Sequence, residues 1–387
     1  MKKLENINLI DKVVIIRCDL NVPMCNGIIT DDNRIIKSLP TIKYLYENAK
    51  KLIILSHLGR IKTKEDEKKN TLKPVCDNLS QKLNIDIAFC TYDKDIKKVI
   101  SENKVVMLEN TRFFDLDNNK ESNNDDSLAK YFASLGDVFV NDAFGVSHRN
   151  AASVVGISKY LPSYMGFLVR EEIEKLDIIK NNPKRPFTVI LGGSKVKDKI
   201  GLITSLADKV DNLVIVGGMA FTFLKAMNIN IGKSILDTEN IDYAKDMLEK
   251  YGNKIVLPID VYVSTEFSNN GNKALRSVKD INDNEIGLDI GPETIKLIEN
   301  RIKNSKTVFV NGPAGAFELT NYSYGTKELF EILKNMNSVV VIGGGDSASA
   351  AIKFGYKNVF THISTGGGAS LEYIEGKKLP GIECLSD

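Results

Sequence analysis

The chain has 387 residues, 43% hydrophobic and 26% charged, with 52 basic against 50 acidic side chains. Single cores stop growing at roughly 250–300 residues, so this length calls for two or three domains. The net charge of +2 excludes a global pull toward nucleic acid, and the longest apolar stretch, Leu213 to Leu224, is broken by Gly217-Gly218 and falls short of the ~20 residues of a membrane helix.

The opening MKKLENINLIDK carries two lysines but no apolar segment behind them, so no signal peptide is expected. Cys18, Cys25, Cys76, Cys90 and Cys384 are scattered and form no Cys-x-x-Cys, which argues against a disulfide framework or a zinc site and for a reducing cytosol.

In chain order, apolar β-branched runs recur at Val13–Ile16, Leu52–Leu55, Val105–Leu108, Val138–Val140, Phe187–Leu191, Leu213–Val216, Ile255–Leu257, Thr307–Val310, Val339–Ile342 and Val359–His362. Runs that are apolar throughout predict strands buried on both faces, as in parallel sheets covered by helices. Helical periodicity fills Thr41–Lys50, Leu72–Leu83, Phe167–Lys180, Tyr243–Tyr251 and Thr326–Asn335. The expected class is α/β, with two doubly wound, Rossmann-like parallel-sheet domains joined by a hinge helix. The boundaries expected are 1–167 for the first domain, 168–184 for the helix and hinge, and 185–370 for the second. Lys62–Lys69 and Asp117–Asp126 are expected to be solvated loops or helix starts.

Ligands of open parallel sheets bind beyond the carboxyl ends of the strands. In the first half those ends lead to Arg17-Cys18-Asp19-Leu20-Asn21, Ser56-His57-Leu58-Gly59-Arg60, Glu109-Asn110-Thr111-Arg112 and Asn141 through His148-Arg149, with Arg34 in the loop after Thr30. Arg makes up only nine of the 52 basic residues, and five of the nine lie in these stretches. A guanidinium is permanently charged and pairs bidentately with phosphate or carboxylate, so five on one edge describe a site for a small polyanion.

The second half is different. Its strands lead to Gly192-Gly193-Ser194-Lys195, Gly217-Gly218, Asn311-Gly312-Pro313, Gly343-Gly344-Gly345-Asp346-Ser347 and Ser364 through Ser370. Glycine lets backbone approach a ligand, and amides at a helix start cradle phosphate, which points to a nucleotide. Asp346 is the natural handle for Mg²⁺, which takes one or two carboxylates plus phosphate oxygens. Gly232-Lys233-Ser234 is not a Walker loop, since the required earlier glycine is Met227. Gly343-Gly344-Gly345 is followed by Ala348 where a dinucleotide fingerprint needs glycine, so a nicotinamide dehydrogenase is the weaker enzyme class.

Taken together, Arg17 through Pro23, Ser56 through Arg60, Leu108 through Phe113, Asn141 through Gly145, Val189 through Ile200, Asn311-Gly312-Pro313, Gly343 through Ser347 and His362 through Ser370 resemble the phosphoglycerate kinase family, in order and over nearly the whole chain. The resemblance implies a bilobal glycolytic and gluconeogenic enzyme, cytoplasmic and monomeric. It would move a phosphoryl group directly between 1,3-bisphosphoglycerate and MgADP, giving 3-phosphoglycerate and MgATP, by closing about Phe167–Asn182. By matching motif, Asp19, Asn21, Arg34, His57, Leu58, Gly59, Arg60, Arg112 and Arg149 would bind phosphoglycerate. Gly192, Gly193, Lys199, Gly217, Asn311, Pro313, Glu318, Gly344, Gly345, Asp346 and Ser347 would bind nucleotide, with Asp346 on Mg²⁺. Arg34 and Lys195 would be catalytic, flanking the transferring group, and Lys197 would face solvent. Residues 371–387 would fold back onto the first domain. The chain departs from the family pattern at Ser194, often Ala, at Val310, often Trp, and at Ala151, where a second histidine is frequent. The competing class is a non-catalytic binder of nucleotide and phosphometabolite on the same scaffold, which has no use for Lys195 and Arg34.

Overall fold

The computed structural model describes residues 3–386. They form two compact units, one of residues 3–174 with 378–386 and one of residues 175–377. The first holds a six-stranded parallel sheet in the order Ala88–Cys90, Val105–Leu108, Lys51–Leu55, Val13–Cys18, Val138–Asp142, Ser163–Met165. Successive strand side chains point to opposite faces. Val14 and Ile16 therefore enter one core with Ile54, Ile42 and Leu79, while Ile15 enters another with Ile53, Phe132 and Phe139. Burial on both faces is why these runs show no alternation in sequence.

The second unit repeats the scheme with strands Ile255–Val256, Asn212–Ile215, Phe187–Leu191, Thr307–Asn311, Val339–Gly343 and His362–Ile363, again all parallel. Chain direction across the sheet reverses between Val13–Cys18 and Val138–Asp142 in the first unit, and between Phe187–Leu191 and Thr307–Asn311 in the second. A crevice opens beyond the strand ends at such a reversal.

Several expectations need correction. The helix expected to begin at Thr41 begins at Asn33, runs through Pro40 and buries Ile35, Ser38, Thr41, Ile42 and Leu45. Proline removes one intrahelical bond, but the buried face on both sides of it keeps the helix continuous. Arg34 thus stands on its first turn, not in a loop. The last strand is His362–Ile363, not Val359–His362, because Tyr356 and Phe360 instead pack around Phe330. Lys64–Lys69 is an exposed short helix closed by a capping box between Thr63 and Asp66. Within 117–126 Glu121 is only 2% exposed, so that stretch is not wholly solvated. A three-stranded antiparallel sheet of Asp260–Ser264, Ala274–Ser277 and Ile286–Ile290 was not anticipated. Gly232-Lys233-Ser234 serves this sheet, with Ser234 Oγ accepting from Gly287 N at 2.9 Å. The helix Gly368–Ile374 lies in the second unit, and the chain rejoins the first only from Lys378. There Gly381 O accepts from Asn141 Nδ2 at 2.7 Å, and Gly381 N donates to Ser147 O at 2.8 Å.

The helix Phe167–Lys180 crosses the division between the units, which falls after Glu174. Its start is held by buried Asp142, whose carboxylate accepts from Leu168 N at 2.9 Å and from Val169 N at 3.4 Å. Burial outweighs these bonds and pushes the Asp142 carboxyl up to about 7. Between about pH 4 and 7 the folded chain therefore keeps a proton that the unfolded chain has lost, and stability contributed here falls as pH rises. Replacing Asp142 with Asn removes that dependence. Urea unfolding should show Asp142→Asn gaining on the wild type by a few kcal/mol between about pH 5 and pH 8; a constant difference would mean that Asp142 does not titrate there.

Candidate active site

Beyond the first sheet, the chain leaving Val13–Cys18 carries Asp19, 6% exposed, which is fixed from two sides. Leu20 N donates to Ser56 Oγ at 2.9 Å, and Arg34 Nη1 donates to Asp19 Oδ2. Asn21 Oδ1 accepts from Gly59 N at 2.8 Å. Gly59 has φ +60, and a Cβ there would lie 2.3 Å from Asn70 Oδ1, so only glycine turns this loop. Its carbonyl in turn accepts from Arg112 Nη1. Leu58 contributes through backbone alone, since its side chain belongs to the core and its carbonyl accepts from Asn110 Nδ2 at 2.7 Å. Arg60 and Arg149 are exposed, whereas Arg112 is 8% exposed.

These groups form one positive field. His57 is buried and held well below its ordinary pKa, first by loss of solvation and then by Arg17, Arg112, Arg34 and Arg149 in turn. Arg112 is pulled down to about 10 by burial and by its neighbours Arg149 and Arg17. A cavity of about 330 Å³ lies among Arg17, Arg112, Glu121, His148 and Arg149. Asp19, Asn21, Arg34, His57, Gly59 and Arg112 are thus tied together by contacts or charge, and Arg149 joins them through the field. Sequence reasoning counted Arg17 among the five arginines of the polyanion edge but not among the residues matched to phosphoglycerate, and it passed over Glu121, whose burial no local pattern announces.

In the second unit the strand ends meet at the reversal point. Gly192 N donates to Asn311 O at 2.9 Å and Gly193 N to Pro313 O at 3.2 Å. A cleft of about 700 Å³ opens beside them, lined by Gly193, Gly217, Gly218, Pro313, Glu318 and Asp346 among others. Its apolar wall comes from Phe221, Ile235, Val261, Phe267, Leu288 and Phe317, which sequence reasoning missed because most belong to or lie near the unanticipated small sheet.

Asn311 and Ser347 stand behind the cleft. Both are buried, with Asn311 Nδ2 donating to Gly343 O at 2.7 Å and Ser347 Oγ accepting from Gly312 N at 2.5 Å. Lys199 Nζ donates to Asn311 Oδ1, and burial lowers the Lys199 pKa against the opposing pull of Asp198 and Asp346. Lys195 and Lys197 are exposed. Gly344, at φ +88, precedes the helix Gly345–Lys353, whose first turn carries Asp346. Among the described residues no three His, Cys, Asp or Glu side chains cluster as a metal cage. Asp346, exposed in the lining beside the glycine edge, fits a Mg²⁺ ion that arrives on nucleotide phosphates.

The glycines differ in what they tolerate. A Cβ on Gly192 would sit 2.0 Å from Pro313 O, whereas one on Gly345 would meet nothing within 4 Å. Gly192→Ala should destabilise the second unit by roughly 1–3 kcal/mol, and Gly345→Ala should stay within about 0.5 kcal/mol of wild type. Equal urea midpoints for the two variants would show that the Gly192 approach is not tight.

The family model described as phosphoglycerate kinase matches residues 4–377. A phosphoglycerate kinase of Enterococcus faecalis is 50% identical, with 100% of this chain and 99% of the relative covered. One of Staphylococcus aureus is 48% identical, with the same coverage. Among solved structures, phosphoglycerate kinase from Coxiella burnetii superposes with a TM-score of 0.88 at 40% identity, covering 99% of this chain and 98% of its own. That from Pyrococcus horikoshii OT3 gives 0.87 at 29% identity, covering 100% and 98%. With an arginine edge in one unit and a glycine edge in the other, and with relatives matched from end to end, the chain belongs to the phosphoglycerate kinase family.

Proposed function

We propose that the chain transfers the acyl phosphoryl group of 1,3-bisphosphoglycerate to MgADP, reversibly, giving 3-phosphoglycerate and MgATP. The observation that carries this reading is the field of four arginines around a buried, uncharged His57, which is suited to a ligand with both a phosphate and a carboxyl end. Asp19, Asn21, Arg34, His57, Arg60, Arg112 and Arg149 hold that ligand, with Leu58 and Gly59 contributing backbone. Gly192, Gly193, Gly217, Pro313, Gly344 and Gly345 admit the nucleotide, Lys199, Asn311 and Ser347 support its phosphates, and Glu318 lines its cleft.

In the transfer, an oxygen of the ADP β-phosphate forms a bond to phosphorus while the bond to the acyl oxygen breaks. The leaving group departs as a carboxylate, so no protein nucleophile and no proton transfer are needed. Catalysis then consists of alignment and of charge placed where the moving group passes. Arg34 and Lys195 supply that charge, and Asp346 would hold Mg²⁺, which when bound neutralises phosphate oxygens. Donor and acceptor are held by different units, so the reaction calls for closure about the connecting helix. The same reading makes the protein a cytoplasmic monomer; no described helix is long and apolar enough to cross a membrane.

A coupled assay for ATP formation from 1,3-bisphosphoglycerate tests the reading, and nucleotide binding without turnover would overturn it in favour of a binding protein. Arg34→Ala and Lys195→Ala should each lower kcat by at least ~10²-fold, the scale of one lost transition-state charge donor; near-normal turnover in either variant removes that residue's role. Asp346→Ala should raise the Mg²⁺ concentration needed for half-maximal rate. An unchanged requirement would end the metal assignment.

A further inference from the structure

Beneath the arginine field lies a buried chain that the reaction itself does not use. Arg17 is 2% exposed, and all three nitrogens of its guanidinium are committed. Nε donates to Ser153 Oγ at 2.8 Å, Nη1 donates to Cys18 O, and Nη2 lies 3.2 Å from His57 Nδ1. On its far side Ser153 meets Glu121, also 2% exposed. Ser153 N donates to Glu121 Oε2 at 3.0 Å, the Ser153 hydroxyl donates to Oε1, and Thr111 Oγ1 donates to Oε1 at 3.3 Å.

Donor and acceptor roles along this chain are forced. Arginine has no acceptor, so Ser153 Oγ receives the Nε proton and its own hydroxyl proton is left for Glu121. By the same rule His57 Nδ1 must accept from Nη2, which leaves the ring proton on Nε2. The opposite tautomer would need Nδ1–H to reach Asp19 Oδ1, and that atom is 4.0 Å away, too far for a hydrogen bond. The other Asp19 oxygen is already taken by Arg34.

We propose that Glu121, acting through Ser153 and Arg17, is a positioning residue that holds His57 as the neutral tautomer with its proton on Nε2. His57 then meets the phosphoglycerate as a single hydrogen-bond donor, not as a further cation. The charged groups facing it agree: Arg17 and Asp19 from the first strand and its exit, Arg34 from the helix Asn33–Asn48, Arg112 from the turn Thr111–Leu116, and Arg149 beyond Val146. Four cations against one carboxylate oppose protonation of the ring. Glu121 and, after it, Asp19 act on the buried guanidinium as its nearby carboxylates, and Ser153 between Glu121 and Nε fixes the orientation of Arg17.

The ligand contact rests on the proposed function, but the tautomer does not, so it is tested on the free full-length protein. Long-range ¹H–¹⁵N spectra resolve the rings of His57, His148 and His362, with His57 assigned by its loss in His57→Gln. From about pH 8 to about pH 5.5, across the ordinary histidine pKa of about 6.5, the wild type should show an unprotonated Nδ1 and a protonated Nε2. Ser153→Ala should bring mixed tautomers and titration nearer the ordinary value. It should also raise KM for 3-phosphoglycerate roughly three- to tenfold, the scale of one hydrogen bond, with kcat within about twofold of wild type. Ser153→Thr, which keeps the hydroxyl, should restore both, and Glu121→Gln should resemble Ser153→Ala. A proton on Nδ1 in the wild type overturns the proposal. So does a folded Ser153→Ala protein in which His57 keeps its wild-type pattern and pH response, and this variant decides even if Glu121→Gln fails to fold.

Discussion

A guanidinium buried beside other guanidiniums cannot escape by losing its proton, and Arg17 is such a group. It is the largest fully buried side chain of the chain's described core, and the cost of dehydrating it must be offset by fixed donors' partners on every side. Those partners shape the surrounding structure. Glu121 is drawn inward from an otherwise polar loop, and Ser153 ties the segment after Arg149 to it. That same segment meets the returning tail, where a Cβ on Gly381 would lie 2.8 Å from Val154 Cγ1 and 2.9 Å from Ser147 Cα. Loop, tail and histidine are therefore positioned around one immobile charge.

The two units handle anions by opposite means on similar sheets. The first concentrates full charges, and the pKa of Arg112 and of His57 is lowered there first by burial and then by the neighbouring arginines. The second removes side chains instead. Gly192 and Gly312 approach so closely that a Cβ on either would overlap the other strand's exit, and backbone without side chains, at Gly193, Gly217 and Gly218, lines the cleft. Charge in the cleft lining comes from Asp289, Glu318 and Asp346, with Lys195 and Lys199 in the segment that follows Gly193. A small ligand with two anionic ends suits the first arrangement, and a larger one with an apolar ring and a phosphate tail suits the second.

Much of this was legible in sequence because parallel strands buried on both faces leave uninterrupted apolar runs, and the residues that follow such runs fall on one sheet edge. Arg17, His57, Arg112, Gly192 and Gly344 could all be located by that rule. What escaped it lacked a local signature. Glu121 sits among asparagines and aspartates, and only a partner 32 residues away makes it internal. The strand Ala274–Ser277 has two of its four residues exposed and none buried, so it never resembles a core strand. Helical periodicity was legible only from Thr41, but the packing of Ile35 and Ile42 on the same core carries the helix back through Pro40 to Asn33.

The segment from Lys195 to Lys199 shows how finely position divides one residue type. Both lysines follow the same strand, yet Lys199 is half-buried, bonded to Asn311 and deprived of solvation, while Lys195 is exposed. A partly dehydrated, tethered ammonium acts strongly on a phosphate that stays in place, because little of its field is screened. It cannot follow a group that moves. An exposed, hydrated lysine keeps its rotamers until a ligand orders them, and in the proposed reaction its flexible stem would let its charge travel with the transferring group. For the proposed reaction the division is a consequence of burial alone, set by Val196, whose fully buried side chain anchors the turn between them.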